Sequence, residues 1–179
     1  MIPEYKRYHG AVFAEIIDEC PGPVTFEEWP QKGRLSSYVV NNFIGLHVKH
    51  SSKRLRPWLF TFTAGNLADI SQLRDRCEKV FVVLVCWLDG MVCVSDREFE
   101  ELLDIENNRT WLRAERRRRE LYAVSGPMKE LSSRKANGVA PLLDALGSTM
   151  QPARTVEQPH TSSASLMHYL RRLLEGSAG

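Results

Sequence analysis

The chain has 179 residues, 43% of them hydrophobic and 26% charged, with a formal net charge of +2. That composition suits one globular domain with a real core and an extension beside it, and it excludes nucleic-acid binding argued from bulk charge alone. The longest apolar run, residues 80–88, is far below the about 20 residues a membrane helix needs, so no membrane partner is expected.

Charge is unevenly placed. Positive residues concentrate at 47–56 and 113–119, and acidic ones at 15–28 and 96–106. The cysteines are Cys20, Cys77, Cys86 and Cys93. None forms a CxxC pair, and no histidine lies at zinc-finger spacing, so they read as reduced thiols. With no secretory leader evident, a cytoplasmic location is expected.

In chain order, residues 8–20 carry Val12, Phe13, Ile16, Ile17 and Cys20 at helical spacing, and Pro21-Gly22-Pro23 stops the helix. Residues 24–29 suit a short strand, 30–33 a loop and 35–40 a strand. Asn41-Asn42 marks a turn. Residues 43–50 alternate with period two, so that Leu46 and Val48 share one face, and His47 and Lys49 the other. Residues 51–57 break the pattern, and 58–63 resume it as a strand with Trp58, Phe60 and Phe62 on one face.

Residues 65–79 read as a helix with Asn66 as its cap and a stripe of Leu67, Ile70, Leu73 and Cys77. The β-branched run 80–86 reads as a strand buried on both faces. Asp89-Gly90 signals a two-residue hairpin turn that would set Cys86 opposite Cys93 on a return strand, 91–94. Ser95 or Asp96 then caps a short helix with Phe99, Leu102 and Leu103 facing inward. Residues 110–125 fit either a helix or a hairpin. The hairpin is preferred, because the arginines would interrupt a helical apolar stripe at Arg118.

A further helical turn or two falls in 139–146. The domain is therefore placed at 1–146, followed by a Gln/Pro/Thr/Ser-rich linker at 147–165. A short amphipathic helix in 166–179 would offer Leu166, Leu170, Leu173 and Leu174 to a protein partner. The fold class expected is α+β: a single mixed sheet flanked by helices, in the order helix, strands, helix, strand, strand, helix.

The segment VKHSSKRLRPWLFTF, with the later FVVLVC, DG and VC, resembles small uncharacterised bacterial proteins over residues 9–126, and that resemblance implies no particular activity. The element order over residues 8–86 is also similar to the restriction-endonuclease-like fold. This second resemblance implies Mg²⁺ held by two carboxylates, with a lysine beside the attacking water. Lys49 stands on the right kind of strand and Glu15 on the right kind of helix. His47 occupies the place of the usual acid, and 58–63 contains none.

Three readings follow. The first is a non-catalytic module that engages DNA or RNA phosphates through Lys49, Lys53, Arg54, Arg56, Arg116, Arg117 and Arg118, with Trp58 available to stack on a base. It requires no cofactor and no metal. The second is a regulatory subunit working through the tethered helix. The third is a Mg²⁺-dependent nuclease built on Glu15, His47 and Lys49.

Overall fold

A computed structural model describes residues 1–29 and 36–149. The loop expected at 30–33, Leu35, most of the linker, and Leu166, Leu170, Leu173 and Leu174, expected to meet a protein partner, lie outside the described residues. Helix α1 spans Glu4–Glu19, and strands β1 (Phe26–Glu28), β2 (Ser37–Val40), β3 (Ile44–Ser51) and β4 (Trp58–Thr61) follow. Next come α2 (Ala64–Arg76), β5 (Lys79–Cys86), β6 (Met91–Ser95) and α3 (Asp96–Leu102). Strands β7 (Trp111–Glu115) and β8 (Ala123–Ser125) and helix α4 (Ala140–Thr149) complete the fold.

The class is α+β, but the strands form two sheets rather than one. Five make a mixed sheet in the order β1-β2-β3-β5-β6, and three make a smaller one in the order β4-β7-β8. Among the described strands only β3 and β5 run parallel, from Ile44↔Lys79 to Ser51↔Cys86. The strand expected at 58–63 therefore does not pair with its predecessor. It pairs antiparallel with β7, Phe60 opposite Leu112. Alternation in 58–63 says which side chains face a core, and that pattern is the same whichever sheet supplies the partner.

Two apolar clusters lie on either side of the large sheet. Ile44, Leu46 and Val48 of β3 join Tyr8, Val12 and Ile16 of α1 and Leu142 and Leu146 of α4. On the other face Val80, Val82, Leu84 and Cys86 of β5 join Ile70 and Leu73 of α2, Phe99 and Leu102 of α3, and Trp58, Phe60 and Leu112 of the small sheet. Gly45 permits the close approach of α2: a Cβ there would stand 3.0 Å from Leu73 Cβ. Helix α2 starts at Ala64, one residue earlier than expected, and Asn66 is not its cap. Thr63 is the N-cap, and Asn66 closes a reciprocal capping box from the N3 position.

The hairpin after β5 also differs. Val85 pairs with Met91 and Val83 with Cys93, so the connection is longer than two residues. Trp87 takes a left-handed conformation, φ 51°, and donates its N–H to the Ser51 carbonyl, while Cys86 bonds back to Gly90. Cys86 and Cys93 consequently fall on opposite faces of the sheet, in different clusters. Both are free, and burial pushes each thiol up to about 12, which suits core residues rather than a redox pair.

Residues 110–125 form the hairpin, with Arg113↔Ser125 and Glu115↔Ala123. Its second strand, expected at 120–124, starts only at Ala123, and the tip includes Arg119 in a left-handed conformation, φ 66°. Helix α4 carries on through Gly147 and Ser148, where a linker was expected. Among the described residues, no helix is long and apolar enough to cross a membrane.

Candidate polyanion-binding rim

Strands β3 and β5 run parallel, so their carboxyl ends emerge side by side. Three connections meet there: residues 52–57 after β3, 87–90 after β5, and the hairpin tip at 116–122. The first is folded on itself. The Trp58 indole donates to the Lys53 carbonyl at 2.9 Å, and the Lys53 ammonium donates to the Pro57 carbonyl at 3.1 Å. Arg54 lies over the Trp87 ring, its guanidinium carbon 5.4 Å from the centroid. Arg56 donates to the Arg116 carbonyl at 3.3 Å, joining the first connection to the third.

Arg116 locks the third connection to the second. Its Nε donates to Asp89 Oδ2 at 2.6 Å, its Nη2 donates to the Asp89 carbonyl, and its guanidinium sits 4.3 Å from the Tyr122 ring centroid. The Tyr122 hydroxyl donates to the same carboxylate at 2.7 Å. Burial and that bond to Asp89 raise the phenol well above its ordinary pKa. Arg116 is only 13% exposed in its side chain and is paired with Asp89, which sets it apart from the exposed cations expected to bind beside it.

The expected binding residues thus separate into two sets. Lys53, Arg54, Arg56, Arg117 and Arg118 are exposed and make no ion pair with another described residue. Lys49, Arg116 and Trp58 are otherwise engaged. Trp58 is 3% exposed and packs edge-on to Tyr122 in the core, so it offers no face to a base. The half-buried Lys49 donates to Asn66 Oδ1 at 2.7 Å and lies over Phe62. Burial lowers its pKa.

The nuclease constellation does not assemble. His47 and Lys49 do share a face, as their alternation implies, but it is the face packed against α2 and Phe62. Glu15 belongs to α1, across the sheet, where its carboxylate lies against Gly138. His47 and Ser37 are fully buried, joined Nδ1 to Oγ at 2.7 Å, and His47 Nε2 has no hydrogen-bond partner among the described residues. Burial, then the Lys49 charge, then His9, push the imidazole down to about 3, so it is neutral and closed to substrate. Among the described residues no group of three His, Cys, Asp or Glu side chains is placed to hold a metal ion.

Sequence reasoning missed Trp87, Asp89 as an anchor, and the histidine–tyrosine contacts of α1. Tyr8 stacks on His50 at 4.5 Å, and His9 Nδ1 meets the Tyr38 hydroxyl at 2.8 Å. Comparison with family models, curated proteins and solved structures returned no match.

Proposed function

We propose that this chain is a non-catalytic nucleic-acid-associated module that engages phosphates through the rim at the carboxyl ends of β3 and β5. The observation that carries the reading is the group of exposed cations Lys53, Arg54, Arg56, Arg117 and Arg118, in no ion pair with another described residue, on two connections held together by the Arg56 bond. Cations gathered on one edge add their phosphate contacts, whereas the same charges scattered would not. Glu15 and Lys49 play no joint part, because the sheet stands between them.

The test is the salt dependence of binding to a labelled DNA or RNA oligonucleotide. Affinity should fall steeply with salt, and Lys53→Ala with Arg54→Ala should flatten the log–log slope by about one to two units. Failure of both DNA and RNA to bind at low salt overturns the reading.

A second reading is a protein-interaction subunit. What favours it is that Leu55, Leu88 and Leu121, at 75%, 77% and 50% exposure, stand among these same connections. A stable co-purifying partner, lost on Leu55→Ser with Leu88→Ser, would support it.

A further inference from the structure

A cavity of about 420 Å³ opens beside the rim, lined by Arg7, Tyr8, Val85, Trp87, Leu88 and Met91 among others. Tyr8, Val85 and Met91 are almost fully buried and make its floor, whereas Leu88 is exposed at its lip. A flat apolar group is thus offered an apolar recess with an indole in its wall.

The surroundings of the recess narrow down the occupant. Arg7 lines the cavity itself, and Arg54 of the rim lies over the Trp87 ring. Neither pairs with a carboxylate among the described residues. A bare hydrocarbon chain would gain nothing from the two guanidinium groups. A heterocycle attached to a phosphate uses both parts: its ring in the recess and its charge on the arginines.

Trp87 is also held in an uncommon conformation. Its φ of 51° is one that bulky L-residues seldom adopt, and strained backbone of this kind collects at ligand sites. Here the bond from Trp87 N–H to the Ser51 carbonyl anchors the strained residue directly to the end of β3, from which the basic connection departs.

We infer that the recess formed by Tyr8, Val85, Trp87, Leu88 and Met91 receives one unpaired base of a single-stranded nucleic acid whose phosphates lie on Arg7 and Arg54. This rests on the function proposed above and specifies its ligand. A duplex keeps its bases stacked inside and cannot fill a recess, whereas a single strand can splay one out. The module therefore prefers single strands over duplex, with no need to read sequence.

The test uses the full chain and three probes: a single-stranded oligothymidylate, a duplex of equal length, and a single strand carrying 2-aminopurine. Trp87→Leu should weaken the single strand about tenfold, within the range for losing one base–aromatic stack. It should leave duplex affinity within about twofold and the salt slope unchanged. Trp87→Phe, which keeps a ring, should recover most of the loss. With the wild-type chain, 2-aminopurine emission should fall on binding as the base stacks. That arm stands even if Trp87→Leu folds poorly.

Equal single-strand affinity in wild type and Trp87→Leu overturns the inference and leaves the phosphate rim standing. So does a loss shared equally with duplex, or unchanged 2-aminopurine emission in a bound complex. Absence of binding by every nucleic acid overturns the rim and the recess together.

Discussion

Acidification should destabilise this protein through His47 before any carboxylate responds. The unfolded imidazole titrates near 6.5, and the buried folded one near 3. Between those values the unfolded chain binds a proton that the folded chain refuses, so stability falls as pH falls. The contribution is flat above about pH 7 and is lost progressively on the way down to about 3. At pH 5, about 1.5 pH units below the unfolded value, the loss is about 2 kcal/mol. His9, lowered to about 4 by burial and then by His50, acts in the same direction. Glu98 is held below its ordinary value by Lys135 and the Ser95 cap, and by the same logic it acts only below about pH 4.5. The window from pH 7 to 5 is therefore histidine territory. Urea unfolding at both pH values should show a loss in wild type that exceeds the loss in His47→Gln by about 2 kcal/mol. Equal losses in the two proteins would refute the burial argument. So would an NMR titration of the wild-type imidazole showing protonation above pH 5.

Other expectations distinguish cations that hold the fold from cations that face solvent. Arg116→Ala removes charged hydrogen bonds to Asp89 and should cost about 2 kcal/mol in chemical denaturation. Arg118→Ala should change stability by no more than about 0.5 kcal/mol while reducing the salt slope of nucleic-acid binding by about one. Trp58→Ala empties a core site between Tyr122 and the β5 face and should cost about 3–5 kcal/mol. The folded fraction of that variant should bind with the wild-type salt slope, because the indole faces inward. A specific loss of single-strand binding in Trp58→Ala would restore it as a stacking residue.

What the sequence made legible was set by short-range periodicity. The alternation through 43–50 correctly put His47 and Lys49 on one face and Leu46 and Val48 on the other, because side-chain direction in a strand follows from position alone. The arginine hairpin was legible because four arginines in a row would break a helical apolar stripe at Arg118 but suit a tip, and Leu112 and Ala114 do turn inward on its first strand. Long-range pairing was not legible. Nothing near Trp58 says that its strand belongs with residues 111–115, and nothing near Arg116 reveals Asp89, 27 positions away. The Cys86–Cys93 pairing was misjudged because Asp89-Gly90 suggests a tight turn. The backbone instead spends Trp87 on joining β3 and places Asp89 beneath the arginine tip. Of the expected binding cations, sequence could count them but could not separate the exposed ones from Lys49 and Arg116, since that division is a matter of burial.

The bond from Arg56 to Arg116 closes a contact across 60 positions of chain. No fragment holding only one of the two stretches can gather the charge density of the finished edge. The proposed capture of a polyanion would consequently need the completed molecule, and mass action would then work in reverse. Any ligand selective for the assembled edge withdraws protein from the unfolded pool, raising the melting temperature by an amount that grows with the logarithm of ligand concentration.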